Sequence, residues 1–578
     1  MDAKHEHSGG GGMTTTGASA GGGGSVPEKR EDGSIKELII SMAIALAMAL
    51  VAKVFVIEAF VIPTGSMAPT LLGQHMVFRS EQTGREWTVN PWFKSNLGDY
   101  PVQSEVVSGG AGRQQVRVPV VTDPMTISRV TRGDYGGNWM IPGRGYTPDP
   151  QPKPLRAGDR ILVQKLLYEV TSPKRWDVVV FKNPQDPTVN FIKRLAGLPN
   201  EQVWIADGDV FARPIEAGTQ RGPVPKSEWR VQRKPARVQR SLWRPIFSSE
   251  FTPVDPVSAS TGLRWFETPW SGEGWETGDG RSYRTESSAA TVVSWDSERW
   301  PICDWEPYND DRRAGPRPIF PVSDVRVRAD VVPDGDGMRV AAVVRARQHE
   351  FRGEIAAGRA LVRMRREGGN WETLGEGPAP VLRAGRVARV EFWHVDQTVE
   401  MWVDGKRVAH GEYAWMPEDR LEWVTGVSHA KDAESNTSLS NPASYVHGGA
   451  EVWWEFEGSA ATLHRVGVDR DLYYQAAVFA SGDSAGRPAF GTHPRNLAAT
   501  GPDQFYFLGD NSPASEDSRL WPRVDDEVSR QFDAPRGLVD RRMILGKAFF
   551  VYFPAPHAVQ IGPVRLPVPD FGRLRWIK

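Results

Sequence analysis

Cysteine is almost missing from this chain: Cys303 is the only one among 578 residues. An internal disulfide and a cysteine-built zinc site are therefore excluded, and one thiol is silent about redox compartment. Excess charge of either sign is missing too. Lys+Arg total 70 against Asp+Glu 71, a net charge of -1, so no global field draws the chain to nucleic acid or an anionic surface. Long helical periodicities are scarce. The 22 Trp and 58 Gly that are present point instead to β structure and turns. A chain of this length exceeds one ordinary core, so about two or three domains are expected.

Residues 1–34, with glycine runs at Gly9–Gly12 and Gly21–Gly24, lack the apolar surface to fold and are expected to be a disordered tail. From Leu38 to Ala52 the sequence is apolar throughout, and Val54 to Ile62 continues it past Lys53 and Glu58. A spanning helix needs about 20 apolar residues, a length this segment reaches only if Lys53 snorkels. Three readings compete: a cleaved signal peptide, a buried helix and an uncleaved anchor. Lys29, Arg30 and Lys36 are interleaved with Glu28, Glu31, Asp32 and Glu37, unlike the basic start of a signal peptide, which favours an anchor over 35–62.

Three polar blocks follow. In FVIPTGSMAPTLL (60–72), Pro63 and Gly65 predict a strand leading into a tight turn that exposes Ser66. By itself this is a serine in a loop. In the second block, Ile161–Val163 and Val178–Phe181 read as neighbouring strands, and alternation over Val189–Leu195 puts Lys193 on one face with Val189 and Phe191. A lysine buried there loses its proton more easily and becomes a base; the alternative is a surface charge at a strand end. In FYFLGDNSPASEDSR (505–519), a strand enters a polar turn able to orient an amine and to fix itself by an Asp–Arg pair. An Asx-type surface turn is the other reading.

Together these blocks closely resemble those of bacterial type I signal peptidases, over the anchor and roughly residues 60–76, 155–212 and 503–555. PTGSMAPTL resembles the nucleophile box, GDRILVQK the next strand, DVVVFKNPQDPTVNFIKRLAGLP the lysine box, GDNSPASEDSR the supporting box and ILGKAFFVYFP the terminal strand. The resemblance implies a β-fold catalytic domain over 63–212 and 503–578, with Ser66 as nucleophile and Lys193 as general base. It also implies an oxyanion site of the Thr64 hydroxyl and Ser66 N–H, a hydrogen bond from Ser515 to the lysine amine, a structural Asp517–Arg519 pair, and Arg194 after the lysine. No cofactor or metal is implied. Substrates would be exported preproteins with Ala-x-Ala cleavage sites, held against apolar walls near Met67, Phe60 and Phe181. The tail would be cytoplasmic, the anchor in the lipid bilayer of the inner membrane, and the catalytic domain on its extracytoplasmic side.

Two stretches depart from that pattern. Residues 77–155, including Arg85–Val89, intervene between the nucleophile box and GDRILV as a small β insertion or lid. Ser512, Pro513 and Ala514 stand where the family commonly has Asp or Asn. Residues 213–502 are a larger insertion. Its Pro/Arg-rich start (212–245) reads as a linker, followed by short β runs at Val325–Val331, Arg339–Arg345, Arg386–Trp393, Val399–Val403 and Val452–Phe456. Over about 245–475 it resembles concanavalin- or laminin G-like jelly rolls, so the fold class expected is mainly β, with an N-terminal transmembrane helix and an inserted β-sandwich.

Such a sandwich makes a glycan or an envelope protein a candidate partner. The packing preference of Trp393, Trp402 and Trp453 favours a core role over sugar stacking. Asp334 and Asp336 read as a Gly-rich hairpin turn ahead of a calcium site, and Arg352, Arg359, Arg363, Arg365 and Arg366 as a solvated sheet face. The alternative to a working peptidase is a catalytically silent paralogue that displays the sandwich.

Overall fold

Distant stretches of sequence meet in one antiparallel eight-stranded sheet. Its order is Ile57–Val61, Arg160–Gln164, Ile544–Phe553, Val178–Asn183, Asp186–Gly197, Gln504–Leu508 and Val539–Asp540, with Arg575–Trp576 paired to Ile544–Phe553. The computed structural model describes residues 35–51, 56–80, 83–90, 104–109, 113–119, 121–126, 129–130, 156–215, 228–253, 268–309, 319–427, 438–532, 535–561 and 564–578. The tail expected over 1–34 lies outside the described residues. The strands 160–164 and 178–183, expected as neighbours, are separated by the closing strand Ile544–Phe553, which pairs with both. Alternation identifies a strand's faces but not its remote partner.

The chain divides into two units, Met1–Val54 and Phe55–Lys578. In the first, Ile35–Val51 is a helix of 17 residues exposing Leu38, Ile39, Ile40, Met42, Ile44, Leu46 and Met48. At 1.5 Å per residue it is about 26 Å long. No described helix is long and apolar enough to cross a membrane. Of the apolar run read over 35–62, Ile35–Val51 is helical and Ile57–Val61 pairs as a strand with Arg160–Gln164.

Within the second unit, residues 244–470 build two seven-stranded antiparallel sheets. The strands Val325–Pro333, Arg339–Ala346, Ala388–Val395, Thr398–Val403 and Glu451–Glu457 fall where alternation predicts them. Val325, Val327, Val340, Val344, Phe392, Met401 and Trp454 point into one shared core. The stretch 212–245 is more than a linker: Arg230–Val231 joins a small sheet with Asp209–Pro214, Glu201–Ala206 and Ala498–Ala499, and Ala236–Leu242 is helical. Trp204 and Phe211 of that sheet pack into the sandwich core with Phe247, Phe320 and Tyr473. Peptidase-like and sandwich parts therefore share buried apolar surface.

Trp393 and Trp402 are buried against Trp243 beneath Arg240, as packing residues. Trp453 differs: it is half-buried on the outer face beside Arg345. Four arginines of the series are paired, Arg352 and Arg363 with Glu354, Arg365 with Glu350 and Arg359 with Glu376, while Arg366 lies over the Trp423 ring, 4.9 Å from its centre. Asp334 meets Arg284 through both carboxylate oxygens, and Asp336 accepts the Ala384 N–H, so protein groups engage this hairpin turn. In the stretch 77–155 the described strands form short antiparallel pairs: Met76–Arg79 with Glu86–Val89, Ser104–Gly109 with Arg113–Pro119, and Val121–Thr122 with Arg129–Val130.

Candidate active site

Ile57–Val61 delivers the chain into a turn over Thr64–Thr70, closed by Ala68 N–H to the Gly65 carbonyl (3.0 Å) and Leu71 N–H to the Met67 carbonyl (2.9 Å). Asp159, fully buried, holds this turn from below. Its carboxylate accepts the Leu72 N–H (3.0 Å), the Ala555 N–H (3.1 Å) and Arg575 Nη2 (3.1 Å), so one side chain ties the turn to the closing strand. Gly158 is required beside it, because a Cβ there would stand 1.8 Å from the Ile62 carbonyl oxygen. In the sequence Asp159 stood only as part of GDRILVQK; its acceptor role needed three remote donors.

Lys193 comes from Asp186–Gly197, paired with Val179 across the sheet, and is 3% exposed. Its Nζ lies 2.6 Å from Ser66 Oγ and 5.2 Å from the centre of the Phe191 ring. Burial lowers the amine from 10.5 to about 8, against the opposing charges of Asp517 and Glu516 and with help from Arg519. The sequence blocks 127 positions apart thus meet at one hydrogen-bond distance.

The third block forms the floor. Asp517 and Arg519 are buried and paired through both carboxylate oxygens (2.8 Å each), and Asp517 accepts the Gly509 N–H at 3.0 Å. Burial alone would raise Asp517, but Arg519 outweighs it and holds the carboxyl below its ordinary value. Arg519 Nη1 also donates to Ser512 Oγ at 2.8 Å, so serine supports the turn at a position where the family commonly has another residue. Arg194, next to the lysine, grips Asp510 through Nε (2.7 Å) and Nη2 (2.6 Å), both side chains wholly buried. Asn511 joins this block to the Ser66 turn: its N–H donates to the Ser66 carbonyl (3.0 Å) and its Nδ2 to the Gly65 carbonyl (2.9 Å).

Some expected placements differ. Ser515 is buried, but its Oγ has no hydrogen-bond partner, so the expected bond to the lysine amine is not formed. The hydroxyl packs instead in the space Gly509 leaves open: a Cβ there would lie 2.1 Å from Ser515 Oγ. Met67 and Phe181, expected as pocket walls, are both fully buried. Phe181 stacks on Phe507 at 4.4 Å and Met67 lies under the Asp510 N–H, so neither presents a face to a ligand. Phe60 is partly buried against the core, and Thr64 is exposed beside Ser66. A cavity of about 1270 Å³ is lined by Pro69, Trp87, Tyr308 and Pro513 but not by the Ser66–Lys193 pair.

Among the described residues one acidic cluster has metal-like spacing: Asp209, Asp324, Asp396 and Asp471. Cationic side chains already fill it. Lys234 Nζ lies between Asp396 and Asp471, 2.9 Å from the latter, while Arg420 meets Asp209 (2.6 Å), Asp207 (3.1 Å) and Asp324 (3.3 Å). This network fastens the Asp207 turn of the small sheet to the sandwich.

The family described as signal peptidase, peptidase S26 matches residues 35–106 and 148–220. The signal peptidase I of Leptolyngbya laminosa is 35% identical over 153 residues, covering 25% of this chain and 75% of the relative. That of Buchnera aphidicola subsp. Baizongia pistaciae is 27% identical over 148 residues, 23% of this chain and 46% of its own. Among solved structures, the carbohydrate binding module CBM66 from Bacillus subtilis aligns over 35% of this chain and 96% of its own, at 10% identity and a TM-score of 0.21.

Proposed function

The chain belongs to the signal peptidase I family, and from that premise we propose that it is a membrane-bound serine endopeptidase removing N-terminal signal peptides from exported preproteins. The single observation behind the chemistry is the 2.6 Å separation of Lys193 Nζ and Ser66 Oγ in a buried setting. A neutral amine there accepts the Ser66 proton as Oγ attacks the scissile carbonyl. The Ser66 N–H and Thr64 hydroxyl stabilise the oxyanion, Lys193 returns the proton to the leaving amine, and the same amine then activates water to free the acyl group. An extended preprotein adds as a strand to an exposed sheet edge and presents small residues of the Ala-x-Ala type. On this reading, the helix Ile35–Val51 belongs to the membrane anchor and the catalytic part faces the extracytoplasmic side.

The base works only when neutral, and burial puts its midpoint at about 8. Cleavage of an exported preprotein by detergent-solubilised full-length protein is therefore expected to level off above that pH. Below it, kcat/KM is expected to fall about tenfold per pH unit. Cleavage that increased on acidification would remove Lys193 from the role. Complete inertness toward several exported precursors, with the sandwich still binding a glycan, would favour the silent paralogue.

A further inference from the structure

The nucleophile turn is held partly by the insertion. Tyr308, in the short helical turn Pro307–Asn309, is 1% exposed and shares a cluster with Ala68 and Leu72. Its ring lies so close that a Cβ on Gly65 would stand 2.3 Å from it. The next residue, Asn309, exchanges a pair of amide hydrogen bonds with Asn511: Asn309 Nδ2 donates to Asn511 Oδ1, and Asn511 Nδ2 donates to Asn309 Oδ1 at 2.8 Å. The second hydrogen of Asn511 Nδ2 is the one directed at the Gly65 carbonyl.

This arrangement has a directional consequence. An amide can present either oxygen or nitrogen to a neighbour, and its partners decide which. The Gly65 carbonyl can only accept, which turns the Asn511 nitrogen toward it, and Asn309 engages the remaining donor and acceptor of that amide and holds it in place. The Gly65 carbonyl and the Ser66 N–H belong to the same planar peptide unit. Pinning the carbonyl therefore aims the N–H.

We propose that Asn309 and Tyr308 of the insertion are positioning residues that aim the Ser66 N–H at the developing oxyanion: Asn309 through Asn511, and Tyr308 by closing the space behind Gly65. The insertion thereby completes the catalytic turn from about 240 positions away in sequence. This rests on the peptidase reading above.

The test compares full-length Asn309→Ala, Asn309→Leu, Tyr308→Ala and Ser66→Ala on one preprotein. Losing an oxyanion donor costs about 10²- to 10³-fold in kcat, so misaiming one is expected to lower kcat by about 10- to 100-fold, with KM within about twofold. Asn309→Leu keeps the volume without the hydrogen bonds and is expected to match Asn309→Ala; it decides the matter if the alanine variant does not fold. The acid limb of the pH profile is expected to stay in place, because the amine's surroundings are untouched. Wild-type kcat in the Asn309 and Tyr308 variants, with Ser66→Ala inactive, would overturn this inference alone. So would an acid limb displaced upward in pH, since that reports a loosened, wetter Lys193. An active Ser66→Ala would overturn the peptidase reading itself.

Discussion

Lys193→Met is expected to abolish preprotein cleavage and at the same time to raise the melting temperature at neutral pH. The activity loss follows from the proposed role of Lys193 as base: in a dyad acting as a unit, deleting either member costs about 10⁴-fold or more in kcat, and Ser66→Ala is expected to match it. The stability gain has a separate origin. At neutral pH the wild-type amine is protonated and buried, and its fall from 10.5 to about 8 corresponds to about 3 kcal/mol at about 1.4 kcal/mol per pH unit. The lost hydrogen bond to Ser66 offsets about 1 kcal/mol of this, so the variant remains ahead.

The pH dependence has a definite sign. Folding lowers this amine's proton affinity, so the unfolded chain binds more protons between pH about 8 and 10.5. Wild-type stability therefore rises with pH through that window, and the penalty is full below it. Lys193→Met should lack this contribution, and its advantage should shrink at high pH. Thermal unfolding of both proteins across that range checks the claim. A variant less stable than wild type at neutral pH would mean that the amine is not desolvated.

The second large effect is expected at Arg420. This side chain is fully buried and meets Asp207, Asp209 and Asp324. Replacing it with methionine leaves carboxylates buried without their partner, and breaking a buried pair in this way costs about 3–5 kcal/mol. Arg347 still reaches Asp207 (2.7 Å) and Asp324 (2.6 Å), so Asp209 loses the most. Burial already raises Asp209 well above its ordinary value, even with Arg420 present. The stranded carboxylates take up protons as pH falls, so the deficit relative to wild type should be smaller at acidic than at alkaline pH. Adding Asp209→Leu to the variant should recover part of the loss. Denaturant midpoints of the single and double variants measure both expectations, and equal midpoints for Arg420→Met and wild type would show that the network does not fasten the small sheet.

Much of the candidate site was legible because its blocks carry local chemistry. Alternation put Lys193 beside Phe191, and the turn residues around Asp510 and Asp517 marked a polar support. Other features are pairings between remote segments, which no local pattern encodes. Ser515 was expected to hold the amine, yet its hydroxyl sits in the space left by Gly509. Phe181 was expected to line a pocket, yet it stacks on Phe507. Phe507 comes from a different strand, and Gly509, six positions before Ser515, meets it only because the turn between them folds back on itself.

For the Ser66–Lys193 pair, the sequence by itself determined that a serine in a glycine turn and a lysine on an apolar strand face were present, together with five strands of the sandwich, because turn preference and alternation are properties of neighbouring residues. Tertiary structure alone decided that Ile544–Phe553 comes between the Arg160–Gln164 and Val178–Asn183 strands, that Asp159 anchors the Ser66 turn and that Tyr308 and Asn309 reach Gly65 and Asn511. Those choices depend on which distant surfaces exclude water together, and only the folded chain brings such surfaces into contact.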